Sequence, residues 1–218
     1  MTHAAIVDFG LGNLFSVRQA CEHAGMTASI TPNADEIASA DLVILPGVGA
    51  YKDAMDTLHD LGLVTVLRDY AERGKPLIGI CLGMQLMMSR SYEFGTHDGL
   101  DLIKGEVVRF QSHDLPNERR LKVPQVGWNT IQPAREDWPG TYLEGLEPDT
   151  HMYFVHSYYV VPQDESVILS KTTYGDTEFC SSLGRGNVFA CQFHPERSGR
   201  EGLRMYANFA RMAQKVRS

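Results

Sequence analysis

Residues 76–83 have the sequence PLIGICLG, an apolar run that leads through a cysteine to a glycine. The run at 76–80 is typical of a short buried strand, and residues 82–88 have the pattern of a helix. Cys81 is therefore expected in a tight turn between a strand and a helix, with a glycine two residues away on either side. This strand–turn–helix unit predicts an α/β fold that holds the cysteine at the end of a strand.

Strands and helices alternate on both sides of this unit. Apolar runs predict strands at 4–7, 27–31, 41–45 and 188–193, and amphipathic patterns predict helices at 13–23, 51–73 and 198–216. Asn13 and Ser198 are expected to cap their helices, and Gly62 is expected to interrupt the long one. Continuous apolar strands separated by helices form parallel sheets covered on both faces. We therefore predict a doubly wound, mostly parallel, flavodoxin-like α/β sheet.

The middle of the chain, residues 99–161, has a different pattern. Short strands are predicted among turn residues at 107–110, 127–131 and 153–156, which indicates an antiparallel extension of the sheet. No repeat, low-complexity tract or linker rich in Pro, Gly or Ser divides the 218 residues. One domain over residues 1–218 is expected.

Composition excludes several classes of protein. The 20 Lys and Arg against 27 Asp and Glu give a net charge of −7, which argues against a general binder of nucleic acid or anionic membranes. No apolar run approaches the ~18 residues of a membrane span, and no signal peptide is recognisable. The four cysteines form no C-x-x-C pair, which argues against a disulfide scaffold or a structural zinc site. We expect a cytoplasmic protein without a metal or other cofactor.

Cys81 has the sequence setting of a nucleophile. The pattern G-x-C-x-G between a strand and a helix is that of a nucleophile elbow, with sulfur in place of oxygen. The turn exposes the side chain at a helix N-terminus, where the helix dipole favours the thiolate. The backbone N–H of Leu82 is then placed to stabilise an oxyanion. An isolated cysteine is more often a buried packing residue, but this setting favours a nucleophile.

Two further glycine-containing loops lie near predicted strand ends. The loop at 45–50, LPGVGA, follows a parallel strand, where ligands commonly bind, and Gly47 and Val48 could supply a second oxyanion donor. Taken alone, this loop is better explained as an ordinary βα turn. The loop at 9–15, FGLGNLF, begins like a dinucleotide fingerprint but has Phe15 at the third glycine position. We interpret it as a packing and partner loop.

His194 and Glu196 are the best candidates for a base and its orienting group. They follow a predicted buried strand in the sequence HPE, and Pro195 favours an extended conformation at His194. In an extended segment residues i and i+2 share a face, so the two side chains are expected to hydrogen-bond. H-x-E also opens the zinc deaminase signature, but no cysteine follows residue 191. His156 is expected near the same site.

Together these motifs resemble the class I (triad-type) glutamine amidotransferases. The nucleophile motif is GICLGMQ at 79–85, and the His-x-Glu pair is HPE at 194–196. Within that family, GLGNL at 10–14 and GWN at 127–129 are similar to the glutaminase subunits of imidazole glycerol phosphate synthases. The supporting segments extend over nearly the whole chain. Phe9 and Arg197 depart from the Tyr and Lys that are common there, and Arg and Lys are not interchangeable at a partner contact.

The resemblance implies a set of roles. Cys81 would attack the amide of glutamine, His194 would relay a proton to ammonia and Glu196 would hold His194. The oxyanion would be bound by backbone N–H groups of Leu82, Gly47 and Val48, after the Gly47 loop reorients. Glutamine would be held by Gly49, Gln85, Ser157 and Tyr158. Asn13, Arg18 and Trp128 would face the partner.

The same resemblance implies a partner. Ammonia would pass to a (β/α)8-barrel cyclase subunit in a heterodimer. The cyclase would form imidazole glycerol phosphate and an aminoimidazole carboxamide ribotide in histidine biosynthesis.

Three alternatives remain at the level of sequence. The chain could serve another ammonia acceptor. GWN and GLGNL argue against anthranilate, aminodeoxychorismate and GMP synthesis, whereas a paralogue that serves sugar modification stays open. It could be a cysteine hydrolase of the same fold with a different acid, in which case His194 and Glu196 would lie far from Cys81. It could also be a non-catalytic flavodoxin-like binding module, against which the failed phosphate fingerprint and the Cys, His and Glu set both argue.

Overall fold

A computed structural model describes residues 1–111, 121–135 and 138–217. The helices in this part of the chain are α1 (Leu14–His23), α2 (Ala34–Ser39), α3 (Tyr51–Asp60), α4 (Leu63–Glu72), α5 (Leu82–Leu86) and α6 (Gly199–Arg217). The strands are β1 (His3–Val7), β2 (Thr27–Thr31), β3 (Leu42–Leu45), β4 (Leu77–Ile80), β5 (Met88–Ser91), β6 (His97–Asp98), β7 (Ile103–Arg109), β8 (Gln125–Pro133), β9 (Thr150–His156), β10 (Tyr158–Pro162), β11 (Ile168–Tyr174), β12 (Thr177–Arg185) and β13 (Val188–Cys191).

The centre of the sheet is parallel and its flank is mainly antiparallel. Strands β2, β1, β3, β4 and β13 pair in this order, all parallel. The sheet continues through β12, β10, β7, β5 and β6, where only β7 and β5 pair in parallel. Strands β11, β8 and β9 extend antiparallel from β12. The predicted fold class, a parallel sheet with an antiparallel extension, is confirmed.

Helices cover both faces of the central sheet. Val43 and Leu45 of β3 pack with Leu58 of α3 and Leu67 of α4 on one face. Leu42 and Ile44 pack on the other face with residues of α1 and α6, among them Phe209. Successive side chains of a strand point to opposite faces, so strands that are buried throughout divide their side chains between two cores. The sheet is therefore doubly wound, as predicted.

The structure differs from the predicted elements in several places. The helix predicted over 82–88 ends at Leu86, because the carbonyls of Met87 and Met88 accept hydrogen bonds from the backbone of residues 101–103 and draw the chain into β5. Helix α2 and the β11–β12 hairpin were not predicted. Asn13 occupies the cap position of α1, but its side chain makes no cap hydrogen bond. The chain is divided into α3 and α4 at Gly62, as expected.

Within the described residues, no helix is both long and apolar enough to cross a membrane. The extent of the domain, residues 1–218, stays a prediction.

Candidate active site

The carboxyl ends of three adjacent parallel strands bring the predicted residues together. The 47–49 loop follows β3, Cys81 follows β4, and His194 lies three residues beyond β13. Because β3, β4 and β13 are neighbours that run in the same direction, their ends meet at one edge of the sheet. This is the edge at which open α/β sheets commonly bind ligands.

Cys81 is held in a strained turn. Its φ of 56° and ψ of −108° lie where a residue other than glycine is rare. The backbone N–H of Cys81 donates to the carbonyl of Cys191 at 2.8 Å, which ties the turn to the neighbouring strand. A side chain at Gly83 would lie 1.7 Å from the carbonyl oxygen of Leu45. The glycine therefore allows the helix to start close against β3.

His194 and Glu196 form a buried hydrogen-bonded pair. Nδ1 of His194 lies 2.8 Å from Oε1 of Glu196, and the two side chains are 5% and 1% exposed. His194 is extended, as Pro195 predicts, but Pro195–Arg197 forms a 3-10 turn rather than a continued extended segment. The i, i+2 alternation that we expected is therefore not the cause of the pairing, because the turn brings Glu196 back towards the ring.

Backbone contacts fix the position of His194. Its N–H donates to the carbonyl of Tyr153 at 2.9 Å. The hydroxyl of Ser198 donates to the carbonyl of His194 at 2.6 Å and accepts from the N–H of Tyr153 at 3.0 Å. Ser198 thus holds the histidine loop against β9, instead of capping α6 through its side chain as predicted.

The electrostatics of the pair favour a protonated imidazole. Burial lowers the pKa of His194, but the charges of Cys81 and Glu196 outweigh burial and raise the pKa above its ordinary value. Nε2 of His194 is buried and has no hydrogen-bond partner among the described residues. Since Nδ1 faces Glu196, Nε2 is the nitrogen left for proton exchange with a substrate or the nucleophile.

The other three thiols are also buried, but they are not among the residues that line the pocket beside Cys81. Burial raises the pKa of Cys21 to about 12 and raises the pKa values of Cys180 and Cys191 strongly. A thiol with a raised pKa is a poor source of thiolate. The surroundings of these three cysteines are therefore those of packing residues.

A pocket of about 280 Å³ opens beside Cys81. Seven of the predicted site residues line it, namely Val48, Gly49, Cys81, Leu82, Gln85, Ser157 and Tyr158. His156 also lines the pocket, as expected. Gly47, His194 and Glu196 are not among its lining residues. Cys81 thus lines the pocket, although it is only 5% exposed, so the turn does not expose the side chain as fully as we expected.

Sequence reasoning missed Glu93, which also lines this pocket. Its Oε2 accepts a hydrogen bond from the backbone N–H of Tyr51 at 2.5 Å, which holds the carboxylate in place. Glu93 follows β5 in an ordinary loop sequence, SYEFG, with no motif that could have marked it. Only the tertiary fold brings this carboxylate to the site.

One predicted oxyanion donor is occupied in this conformation. The backbone N–H of Leu82 donates to the carbonyl of Gly47 at 3.3 Å. That N–H is available to an oxyanion only if the Gly47 carbonyl turns away. The reorientation of the 47–49 loop that we expected therefore stays a prediction. It would have to break the hydrogen bond from the Leu82 N–H to the Gly47 carbonyl.

The predicted partner residues lie at or near the surface. Trp128 is 56% exposed and meets the ring of Tyr153 edge-on, with centroids 6.1 Å apart. The guanidinium of Arg197 lies over the same Tyr153 ring, 4.3 Å from its centroid. Asn13 is exposed. Arg18 is half-buried, and its Nε lies 3.7 Å from Oε1 of Glu22.

The described residues contain no group of three or more His, Cys, Asp or Glu side chains arranged to hold a metal ion.

Comparison with known proteins gives consistent matches along the chain. The family described as glutamine amidotransferase class-I matches residues 5–213. A protein of Aquifex aeolicus named imidazole glycerol phosphate synthase subunit HisH is 48% identical over 212 residues, which covers 97% of each chain. A protein of the same name from Moorella thermoacetica is 47% identical and covers 98% of this chain and 97% of its own.

Solved structures agree at the level of the fold. The structure of PurLQS from Thermotoga maritima has a TM-score of 0.73 at 21% identity and covers 97% of this chain and 98% of its own. A crystal structure described as a glutamine amidotransferase has a TM-score of 0.72 at 19% identity, with 96% and 98% covered.

Proposed function

This chain belongs to the class I glutamine amidotransferase family, and we propose that it is the glutaminase subunit of an imidazole glycerol phosphate synthase. The observation that carries the proposal is the placement of Cys81 at a pocket, where it interacts with the histidine of the buried His194–Glu196 pair. Full-length relatives at 47–48% identity bear the name of that subunit and support the choice within the family. The pairing of His194 with Glu196, and the interaction of His194 with Cys81, argue against a cysteine hydrolase with a different acid and against a non-catalytic module.

In the first half of the proposed reaction, the Cys81 thiolate attacks the side-chain amide carbon of glutamine. The tetrahedral intermediate collapses to a thioester, and the C–N bond breaks. Protonated His194 gives its Nε2 proton to the departing nitrogen, which leaves as ammonia. Glu196 keeps the imidazole oriented through Nδ1 and stabilises its positive charge.

In the second half, neutral His194 takes a proton from water, and the hydroxide adds to the thioester carbon. The C–S bond then breaks, which releases the product with a protonated γ-carboxyl and restores the thiolate and the imidazolium. This carboxyl then gives its proton to water, which leaves glutamate. The raised pKa of His194 fits this cycle, because the resting pair is charged and ready to donate the first proton.

The pocket offers groups that fit the backbone end of glutamine. Carboxylates recognise ammonium groups, and Glu93 is the carboxylate among the lining residues, so we assign it to the α-ammonium group. Ser157, Tyr158 and the backbone of Gly49 are assigned to the remaining polar groups of the substrate. Gln85 is assigned to the substrate through its oxygen, since both of its N–H groups are already used within the protein.

The hydrogen bond between the Gly47 carbonyl and the Leu82 N–H indicates why the subunit would depend on a partner. While Gly47 accepts the Leu82 N–H, the oxyanion lacks that donor. Removing one oxyanion donor costs about 100-fold to 1,000-fold in rate. We therefore propose that binding of the liganded partner turns the loop, so that Leu82 and the Gly47–Val48 backbone bind the oxyanion.

The proposed partner is a (β/α)8-barrel cyclase subunit in a heterodimer. Large apolar side chains are exposed close to the active-site edge and suit burial by another protein, namely Phe15, Val48, Val126 and Trp128. The cyclase would use the ammonia to form imidazole glycerol phosphate and the aminoimidazole carboxamide ribotide. A cytoplasmic location is part of this proposal.

Labelling with a diazoketone analogue of glutamine tests the proposed nucleophile. The account predicts one adduct per chain, on Cys81, found by peptide mass spectrometry. A Cys180→Ala variant serves as the matched control and should label normally. Labelling elsewhere, or none in the presence of the partner, would contradict the assignment.

A further inference from the structure

A second buried amide, Gln192, lies against the proposed nucleophile. Gln192 follows β13 and is fully buried. Its Nε2 lies 3.6 Å from the sulfur of Cys81, and its Oε1 lies 3.1 Å from Nε2 of Gln85. The proposed mechanism gives this side chain no role. Its N–H group donates to the Cys81 sulfur, which also interacts with His194.

The direction of these hydrogen bonds is set by the main chain. The carbonyl of Tyr158 accepts from Nε2 of Gln85 at 3.0 Å and from Nδ1 of His156 at 2.8 Å. A carbonyl only accepts, so Gln85 must turn its NH₂ group towards Tyr158. The same NH₂ group meets Gln192, which must therefore present its oxygen to Gln85. The NH₂ group of Gln192 is then directed at Cys81.

This direction has an electrostatic consequence for the sulfur. A thiol is a weak hydrogen-bond acceptor, whereas hydrogen bonds to an ionised acceptor are about twice as strong. A donor fixed beside the sulfur therefore favours the thiolate over the thiol. The surroundings are dry, since Gln192 is fully buried and Gln85 is 6% exposed, so little water competes for the bond.

We propose that Gln192 activates and positions Cys81 by donating a side-chain N–H to its thiolate, while its oxygen fixes the orientation of Gln85. The proposal rests on the proposed function of Cys81 as the nucleophile. It makes Gln192 the link between two parts of the site. One amide both stabilises the attacking atom and leaves the oxygen of Gln85 free for glutamine.

The test replaces Gln192 with Met, which is similar in length but neither donates nor accepts in this way. The readout is the rate of Cys81 alkylation by iodoacetamide as a function of pH, followed by peptide mass spectrometry. This reaction needs no glutamine, so a change in Gln85 does not affect it directly. We expect the pH midpoint to rise by about one unit and alkylation at neutral pH to slow about tenfold. An unchanged midpoint in the folded variant would overturn the proposal.

A second measurement needs no variant at Gln192. The side-chain amide resonances of Gln192 in the ¹⁵N-labelled chain are followed through the same pH range. We expect them to shift with the midpoint of Cys81 alkylation, and to lose this shift in Cys81→Ala. Resonances that stay constant with pH in the unmutated chain would overturn the proposal, even if Gln192→Met does not fold.

The experiments distinguish failure of the proposed function from failure of the proposed role of Gln192. If Cys81→Ala still hydrolyses glutamine, the proposed function is wrong. If Cys81→Ala is inactive but Gln192→Met keeps the alkylation midpoint, only the role of Gln192 is wrong.

Discussion

Each member of the proposed triad depends on a different local constraint. Cys81 depends on the strained turn after β4, His194 on its bonds to Tyr153 and Ser198, and Glu196 on the 3-10 turn. The account predicts that Cys81→Ala and His194→Ala lose at least about 1,000-fold in glutaminase activity, whereas Glu196→Ala loses less, since it orients rather than reacts. Glutamate release by the complex measures this. Equal activity in the Cys81→Ala complex and the unmutated complex would contradict it.

His156 predicts a specific pH dependence of stability. Burial is the main cause that lowers its pKa to about 4, and the nearby His194 contributes in the same direction. The unfolded chain takes up a proton near pH 6.5, where the folded chain does not. Stability is therefore complete above pH 6.5 and falls as the pH drops towards 4, by up to about 3 kcal/mol from this residue.

The matched variant is His156→Asn, which keeps an N–H donor for the Tyr158 carbonyl but does not titrate. Urea unfolding between pH 7 and pH 4 should show a steeper loss of stability in the unmutated chain. Parallel curves would mean that His156 does not carry this dependence.

The site residues that belong to sequence motifs could be predicted from the sequence, whereas the site residues outside any motif could not. The turn at Cys81 and the H-x-E pair have local signatures, because neighbours in sequence create their geometry. Glu93 and Gln192 have none, since only the packing of distant strands brings them to the pocket and to the sulfur. The occupied N–H of Leu82 was likewise beyond sequence reasoning, because it depends on how two loops meet.

Among the elements, the packing of α5 against β3 depends on the glycine at position 83. Ala is about 1 kcal/mol better than Gly in a helix, so Gly83→Ala should stabilise α5 if nothing else changed. A side chain there meets the backbone of Leu45 at 1.7 Å, which forces α5 and β3 apart. We expect a net loss of about 2 kcal/mol in the free energy of unfolding, together with reduced activity.

Gly25→Ala is the control for that substitution. Gly25 has a φ of 78° but open space around its added side chain, so it tests conformational strain alone. Its cost should be about 1 kcal/mol, with activity kept. If Gly83→Ala proved as stable as the unmutated chain, the close approach of α5 to β3 would not matter.

The central elements could be predicted, and the flanking ones less completely. Buried parallel strands such as β3 and β4 consist of apolar residues throughout, which is a strong local signal. The β11–β12 hairpin contains many Ser and Thr residues, and Ser170 bonds to Ser181 and Ser182 inside the protein. Such buried polar pairs give no apolar alternation, so the pattern could not identify these strands.

In the whole molecule, the occupied oxyanion donor makes the subunit dependent on its partner for activity. The free chain should have low glutaminase activity, because Gly47 occupies the N–H of Leu82. Activity should rise at least about 100-fold with the liganded cyclase. Steady-state assays of the free chain and the complex give both values. Equal activity in the two would contradict the loop mechanism.

The proposed function is tested by comparing two nitrogen sources for one product. The complex of this chain with the cyclase is assayed for imidazole glycerol phosphate, with glutamine or with ammonium as the source of nitrogen. We expect that the unmutated complex uses both, and that the Cys81→Ala complex uses only ammonium. A Cys81→Ala complex that still uses glutamine, or an unmutated complex that cannot, would contradict it.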